Sequence, residues 1–317
     1  MVYNQALPKN PTVSFESSVF DSLVDAMIED IKLHANLSTA RELDLRAKKK
    51  WEIMFRYINW CKRFGPAHPA KVLQTKELPS DAYFAKYEKI IDIIRIRLER
   101  GLSLVPFLSQ RVLEKPYVVQ SRSENADKDR LLNSENIYHL HLGTSFRNDV
   151  LSGYSGDLLF FTHRKETAYL LGIGSHSDFD SQEWAQRAIS NWPNTGMFTE
   201  IKGMRWPSYS ETERAQLRKS GVSVVVNLGG KSYFSATGST STAGLSVSDQ
   251  WKVKHLLPQI KNVVMQLCRK RQMTANYVTH IAKRTVTNVT LTWKVDKGHI
   301  ELIDKTTGVR LQDWFLR

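Results

Sequence analysis

The sequence predicts an α+β protein, with a helical N-terminal region followed by a mixed, mostly antiparallel sheet region with flanking helices. Residues 1–120 contain long stretches in which apolar side chains recur at helical spacing. Between residues 137 and 176, three short apolar runs are each bounded by turn-forming residues, which is typical of strands. Residues 285–317 alternate polar and apolar side chains around two turns and predict a β-meander.

The length of 317 residues exceeds one typical domain and predicts two or three compact units. We place a helical region at 1–120, a three-strand core with one helix at 131–195, and a second α+β region, ending in the meander, at 196–317. The polar, charge-dense stretch 121–130 marks the first boundary.

The composition is that of a globular protein with a strongly basic balance: 41% hydrophobic residues, 24% charged residues and a formal net charge of +13. The charge favours a polyanionic partner, nucleic acid before membrane, although a basic surface without such a partner gives the same count. The two cysteines form no CxxC pair, so a disulfide framework or cysteine zinc site is not expected. With no run of ~18 apolar residues and no signal-peptide pattern, we expect a cytoplasmic protein without a membrane partner.

The N-terminal region predicts three helices, over residues 14–33, from about 38 to 65 and from about 80 to 101. Gly101 suits the left-handed position after a helix. The second helix interleaves basic and aromatic residues, a pattern that can grip a nucleic-acid backbone. Aromatic residues at helical spacing more often form core, and we expect that here. Three lysines of this helix either contact phosphates or form a solvated face: Lys48, Lys49 and Lys50.

The central runs predict three consecutive antiparallel strands: Ile137–Leu142, Asp157–His163 and Thr167–Ile173. His139 and His141 are two residues apart and therefore project from the same face of the first strand. Arg164 follows the second strand, and His176 follows the third. We therefore expect imidazole and guanidinium groups to gather at one end of a small sheet.

The rest of the chain predicts further helices, a hairpin and a loop rich in small residues. In chain order these are a helix capped by Asp178 or Ser181, a helix over Glu211–Ser220, strands over Val222–Leu228 and Lys231–Ala236, the loop 237–248 and a helix over Ser248–Lys270. Gly229-Gly230 suits a two-residue hairpin turn. The loop lacks the P-loop pattern; it either binds phosphate through backbone amides or simply connects two elements. Basic residues crowd the end of the last helix and predict a nucleic-acid contact: Arg269, Lys270 and Arg271.

Three interpretations of the histidines are open from the residues alone. His139, His141 and His176 can serve as acid and base toward an RNA 2′-hydroxyl and its leaving oxygen, because imidazole titrates near neutral pH. They can instead bind a metal ion, with Asp178 as a further ligand. In the third interpretation they are hydrogen-bonded residues of a half-buried strand.

Basic side chains near the histidines bear on the same choice. Arg147 lies in the long loop between the first two strands, and Arg164 and Lys165 follow the second strand. In the acid–base interpretation they would stabilise the charge of the scissile phosphate. A solvated loop arginine is the equal alternative for Arg147. No nucleophile motif such as GxSxG is present, which favours a nucleic-acid-directed role over small-molecule metabolism.

The segment 137–179 resembles the sheet of the RelE/ParE-type toxins, through YHLHLG, DLLFFTHRKETAYLLGIG and the SH at 175–176. Those toxins are small ribonucleases or gyrase poisons, and the ribonuclease members use basic and histidine side chains on the sheet to cleave RNA without metal. By position, the resemblance implies that Arg164 and His176 correspond to their basic and strand-end residues. The helix-first layout is also similar to bacterial and prophage proteins, which implies a role in phage defence or growth arrest.

These observations lead us to expect a nucleic-acid-directed protein that cleaves RNA, rather than DNA, without a metal or other cofactor. We assign catalysis to His139, His141, His176 and Arg164. Binding of nucleic acid is assigned to Arg147, Lys165, Lys48, Lys49, Lys50, Arg269, Lys270 and Arg271. An antitoxin or other partner protein is implied by the toxin resemblance. The alternatives are a non-catalytic DNA- or RNA-binding regulator or defence sensor with structural histidines, and a metal-dependent nuclease that uses the same three histidines.

Overall fold

The structure is a computed structural model. It describes residues 10–15, 18–34, 39–66, 68–109, 112, 129–203, 206–236, 238–240 and 246–315. Most of the predicted boundary stretch 121–130 and part of the loop 237–248 lie outside the described residues, so the expectations for them stay predictions.

Helices predominate in the first third of the chain. The α-helices of the described residues are α1 (Val19–His34), α2 (Thr39–Arg46), α3 (Lys50–Lys62), α4 (Phe84–Arg100), α5 (Arg130–Glu135), α6 (Glu183–Asn191), α7 (Glu211–Lys219), α8 (Val247–Arg269) and α9 (Arg271–Ala282). None of them combines the length and the apolar character that crossing a bilayer requires.

The strands of the described residues form four sheets. They are β1 (Thr12–Phe15), β2 (Lys71–Gln74), β3 (Ile137–His141), β4 (Ser145–Arg147), β5 (Val150–Ser152), β6 (Leu158–Arg164), β7 (Thr167–Gly174), β8 (Phe198–Glu200), β9 (Val226–Leu228), β10 (Lys231–Ser235), β11 (Asn288–Asp296), β12 (His299–Asp304) and β13 (Arg310–Phe315). The sheet orders are β1-β11-β12-β13, β2-β7-β6-β3, β8-β10-β9 and β4-β5. Helices first and mostly antiparallel sheets after them confirm the predicted α+β class.

The chain divides into two compact units rather than the three consecutive segments that the sequence predicts. Unit 1 holds the residues up to Cys61 and those from Trp251 onward, and unit 2 holds Lys62–Gln250. The physical reason is strand pairing between distant segments. β1 runs parallel to β11, so an N-terminal strand completes the C-terminal sheet. β2 likewise runs parallel to β7, which places part of the region 1–120 in the central sheet.

Unit 1 packs α1 and α9 against the sheet that contains β1 and β11. The predicted meander over 285–317 is confirmed as β11, β12 and β13. The helix α9 was not predicted. The helix expected from residue 14 begins at Val19. The long second helix is in fact α2 and α3, with Lys48 and Lys49 in the connection between them. The core interpretation of its aromatic residues is confirmed for Trp60, which is 1% exposed, whereas Trp51 is 51% exposed.

Unit 2 is built on β3, β6 and β7, whose antiparallel pairing confirms the three predicted strands. β7 carries a bulge, because Phe160 pairs with Gly172 while Phe161 pairs with Leu170, and Leu171 is the extra residue. The carbonyl of Leu171 accepts hydrogen bonds from Thr75 Oγ1 at 2.8 Å and from Arg187 Nη1 at 3.0 Å. Side chains therefore satisfy the carbonyl of the extra residue, which the sheet ladder leaves unpaired.

Two glycines after the bulge leave a flat surface on which Trp184 of α6 lies. The indole ring stacks on Phe160 with 4.3 Å between ring centroids. A Cβ atom at Gly172 would lie 2.7 Å from Trp184 and 2.3 Å from Arg187, and one at Gly174 would lie 2.6 Å from Trp184. The GIG sequence is therefore required for packing of α6 onto the sheet.

The hairpin expected around Gly229-Gly230 is confirmed by the antiparallel pairing of β9 and β10. Both glycines have positive φ values, 58° and 76°, as a two-residue hairpin turn with matching twist requires. The first strand is shorter than predicted and begins at Val226. Residues 222–225 instead connect α7 to the hairpin.

We expect Gly172→Ala to destabilise unit 2 by about 1–3 kcal/mol, because the added methyl group enters space that Trp184 and Arg187 occupy. Urea denaturation followed by tryptophan fluorescence measures this change in the free energy of unfolding. Gly229→Asn is the control, since no atom of the described residues lies within 4 Å of its Cβ position and asparagine tolerates positive φ. An equal loss in both variants would contradict the packing argument.

Candidate functional site

The three histidines singled out in the sequence lie together at one end of the central sheet. β3 and β7 lie on either side of β6 and are both antiparallel to it, so their C-terminal ends lie at the same edge of the sheet. The ring centroids of His139 and His141 are 6.2 Å apart, and those of His141 and His176 are 5.5 Å apart. We call these three residues the histidine cluster. The expectation that they come together is confirmed, while their catalytic role stays a prediction.

Aromatic side chains border the cluster. The Phe179 ring meets His139 edge-on with 4.8 Å between centroids and lies 5.6 Å from His176. Tyr154 lies in the loop between β5 and β6 and is 59% exposed. Its ring centroid is 6.1 Å from that of His141. His176 is exposed to solvent, whereas His139 and His141 are partly buried. The cluster thus has an apolar side at Phe179 and an open side at Tyr154 and His176.

Burial is the main reason why the two strand histidines of the cluster are neutral. Burial lowers the pKa of His139, against the opposing effect of Asp129, whose Oδ2 lies 3.4 Å from His139 Nδ1. Burial, together with repulsion from His139 and His176, lowers the pKa of His141 to about 4. His139 Nδ1 and His141 Nε2 are buried and have no hydrogen-bond partner among the described residues. Both rings therefore retain unused hydrogen-bonding capacity.

Asp129 and Arg63 belong to this site, although sequence reasoning missed them. Asp129 is the N-cap of α5, where Oδ1 accepts the Leu132 N–H at 2.9 Å, and its other oxygen faces His139. Arg63 acts on His139 electrostatically and opposes its protonation. An N-cap aspartate before a short helical run was the available indication for Asp129, but the surrounding stretch was assigned to a linker.

His176 lies in a 3₁₀ turn over His176–Asp180. Ser175 caps this turn, and Asp178 Oδ2 accepts the Ser175 N–H at 2.6 Å in a capping box. Trp184 Nε1 donates to the Asp178 carbonyl at 3.0 Å. Asp178 therefore caps its own turn rather than α6. Its carboxylate accepts hydrogen bonds in the capping box, which does not favour the interpretation that it is a metal ligand.

A buried ion cluster of Glu135, Arg214 and Arg218 fixes the same turn. Glu135 Oε1 accepts hydrogen bonds from Arg214 Nη2 at 3.0 Å and from Arg218 Nη2. Arg218 Nη1 also donates to the Phe179 carbonyl at 2.7 Å and to Asp180 Oδ1 at 2.8 Å. Arg214 Nε donates to the Asp180 carbonyl at 3.0 Å. The two arginines thus hold the backbone and side chain beside His176.

Arg164 and Lys165 do not join the histidines, and that expectation is wrong. Arg164 ends β6 at the turn into β7, where it pairs with Thr167, while His141 pairs with Leu158 at the opposite end. Six residues of strand separate the two ends, or about 20 Å. In an antiparallel sheet, a residue that closes one strand lies at the start of the next. His163 lies at the Arg164 end, where its ring is 5.3 Å from that of His68.

The other predicted basic residues lie away from the histidine cluster. Arg147 is exposed on β4, and no contact between it and the cluster is found in the described part of unit 2. Unit 1 contains the remaining predicted basic residues: Lys48, Lys49, Lys50, Arg269, Lys270 and Arg271. Lys50 forms an ion pair with Asp21, whereas Arg269, Lys270 and Arg271 are exposed where α8 meets α9.

Metal binding by the histidine cluster would need the rings to move closer. Among the described residues, the cluster does not form a group whose ligand atoms all lie within 4.8 Å of one another. Tetrahedral zinc with bonds of about 2.1 Å places its ligand atoms about 3.4 Å apart.

No protein-family model, curated protein or solved structure matches this chain. The resemblance of 137–179 to the RelE/ParE-type sheet therefore stays a prediction. The position of Arg164 bears on it directly, since this arginine lies at the other end of the sheet from His176.

We expect Glu135→Gln to destabilise the protein by about 3–5 kcal/mol, because it removes the shared negative charge from two buried guanidinium groups. Glu183→Gln is the control. It makes the same chemical change in the ion pair with Arg187, but the Glu183 side chain is half exposed to solvent. There we expect a loss of about 0–1 kcal/mol. Urea denaturation of both variants measures the difference; similar values would mean that the buried cluster contributes no more than a surface pair.

Proposed function

We propose that the protein binds RNA and cleaves it at the histidine cluster by transphosphorylation, acting in the cytoplasm. The observation that carries the proposal is the convergence of three imidazoles at one sheet end. Two of them have buried nitrogens without a hydrogen-bond partner in the described part of the chain. The net charge of +13 supports a polyanionic substrate.

The chemistry needs a base, an acid and charge stabilisation. The base removes the proton of a ribose 2′-hydroxyl, and the 2′-oxygen attacks the adjacent phosphorus. The bond from phosphorus to the 5′-oxygen breaks, and the acid protonates that oxygen. The products are a 2′,3′-cyclic phosphate and a 5′-hydroxyl, and no metal takes part in the proposed reaction.

The environments of the histidines support separate roles. His141 is neutral at pH 7 because its pKa is about 4, so it is the base in this proposal. His176 is exposed to solvent, where RNA can reach it, and is the acid in this proposal. His139 lies between His141 and Asp129, whose negative charge offsets the positive charge that His141 acquires. Arg63 replaces Arg164 as the cation near the phosphate, since its electrostatic effect reaches His139.

A phosphate group would correct the weakness of His141 as a base. An imidazole of pKa about 4 takes up a proton poorly at neutral pH. Negative charge close to the ring favours the imidazolium form and raises the pKa. Substrate binding therefore supplies part of the basicity that the free protein suppresses by burial.

A non-catalytic RNA- or DNA-binding protein is the second candidate. It is favoured by the exposure of Arg269, Lys270 and Arg271, which can contact phosphates without any contribution from unit 2. In that case the neutral histidines are structural. An antitoxin-like partner remains a proposal that follows from the toxin resemblance.

We expect the purified protein to cleave single-stranded RNA in the presence of EDTA, and we expect His139→Ala/His141→Ala/His176→Ala to abolish cleavage. Arg164→Ala is the control and should cleave normally, since Arg164 lies about 20 Å away. A 2′-O-methyl RNA of the same sequence should be bound but left intact, because it lacks the nucleophile. A denaturing gel and a band-shift gel measure the two effects.

The other possible outcomes of this experiment each contradict part of the proposal. RNA cleavage that is unchanged in the triple variant would show that the histidine cluster is not the catalytic site. Cleavage that EDTA abolishes would favour the metal-dependent nuclease. Intact RNA with a band shift that weakens steeply with salt would establish the binding protein instead.

We expect the acidic limb of the pH profile for kcat/KM to lie near pH 4. The base must be deprotonated in the free enzyme, so activity is lost as the pH falls through the pKa of His141, about 4. Cleavage rates at low RNA concentration between pH 3.5 and 8 measure it, with circular dichroism as the control for folding. An acidic limb near the ordinary histidine value of about 6.5 would show that His141 is not the base.

A further inference from the structure

A second group of potential ligands lies in unit 1. Asp30 and His34 are four residues apart on α1 and share one face of the helix, and Asp296 is the last residue of β11. His34 Nε2 lies 3.4 Å from Asp30 Oδ1 and 3.2 Å from Asp296 Oδ1. In the part of the chain that the structure describes, no other group of three His, Cys, Asp or Glu residues has all its ligand atoms within 4.8 Å.

Hydrogen bonds fix the Asp30 carboxylate through its Oδ2 atom. Oδ2 accepts hydrogen bonds from Tyr57 Oη at 2.7 Å and from the Lys297 N–H at 2.8 Å. Tyr57 Oη in turn accepts the Gly298 N–H at 2.8 Å. The side chain is 1% exposed, and Oδ1 is buried without a hydrogen-bond partner among the residues that the structure describes. Outer hydrogen bonds thus orient a carboxylate whose second oxygen faces His34, as they do for ligands in metal sites.

The spacing of these atoms fits a metal ion. Bonds of about 2.1 Å at tetrahedral angles place ligand atoms about 3.4 Å apart. The two distances from His34 Nε2, 3.4 Å and 3.2 Å, are close to that separation. Two carboxylates would balance the double positive charge, and three protein ligands leave a position for water.

We propose that Asp30, His34 and Asp296 bind a divalent first-row transition-metal ion of the zinc or manganese kind. An imidazole ligand favours these ions over calcium and magnesium, which prefer oxygen ligands alone. The bound ion would link the C-terminal end of α1 to the turn after β11. The site lies in unit 1, so the proposal is independent of RNA cleavage by the histidine cluster of unit 2.

The alternative is that cations of the chain itself balance the two carboxylates. The His34 ring lies in the last turn of α1 and faces both carboxylates. The Lys297 Nζ lies 3.8 Å from Asp296 Oδ1. Burial raises the pKa of Asp30, assisted by Asp296 and opposed by Tyr57, Lys297 and His34, so proton uptake is a further way to reduce the charge. Metal binding distinguishes these accounts.

The test is calorimetric titration of the full chain, stripped of metal with a chelator and exchanged into clean buffer, with zinc chloride and with manganese chloride. We expect one equivalent per chain for at least one of the two ions and a Tm that rises with its concentration. His34→Gln and Asp296→Asn should each weaken binding at least about tenfold. The Asp296 side chain is 65% exposed, so this variant should fold even if a change at buried Asp30 does not.

Two controls localise the bound ion. His299→Gln removes a similar pair in the same unit, in which His299 Nε2 lies 3.3 Å from Asp313 Oδ2, and should bind normally. The variant His139→Ala/His141→Ala/His176→Ala should also still bind one equivalent of metal ion per chain. Absence of uptake, uptake unaffected by His34→Gln and Asp296→Asn, or uptake lost in either control would each overturn the proposal.

Discussion

Burial of one carboxylate between two arginines is the interaction on which the arrangement of unit 2 most depends. Glu135, Arg214 and Arg218 have side chains no more than 1% exposed. Moving such charges out of water costs several kcal/mol for each ion, and only well-directed hydrogen bonds offset that cost. The donors of Arg214 meet the Asp180 and Val225 carbonyls as well as Glu135. The interaction therefore fixes α5, α7 and the His176 turn in a single arrangement.

This network explains why the histidine cluster has a defined geometry although its parts are far apart in sequence. β3 follows α5 directly, so Glu135 sits beside the strand that carries His139 and His141. Arg218 holds Phe179, which packs against both His139 and His176. A shift of α7 would therefore move one side of the cluster relative to the other. The proposed cleavage would need such support, because small displacements of reacting groups cost large factors in rate.

Sequence patterns predicted the features of the fold that depend on residues close together in the sequence. The alternation in β3 was enough to place His139 and His141 on one face, and the Gly229-Gly230 turn was enough for the hairpin. The parallel pairing of β1 with β11 could not be predicted, since Thr12 and Asn288 leave no local indication of each other. Arg214 and Arg218 could not be recognised as buried either, because α7 has the polar composition of an exposed helix. The error at Arg164 was different, as antiparallel geometry alone excludes it from the His176 end.

The division into units assigns the basic residues and the histidines to different parts of the fold. Arg269, Lys270 and Arg271 belong to unit 1, and the cluster belongs to unit 2. In the proposed function, affinity for RNA would depend on how many phosphates are neutralised, so these three side chains need not contact the reacting group. The cluster itself holds its strand imidazoles neutral in the free protein, because burial and mutual repulsion oppose protonation. In the proposed reaction, the phosphate of a bound RNA would supply the negative charge that reverses this balance, and it would thereby couple the protonation of His141 to the presence of the substrate.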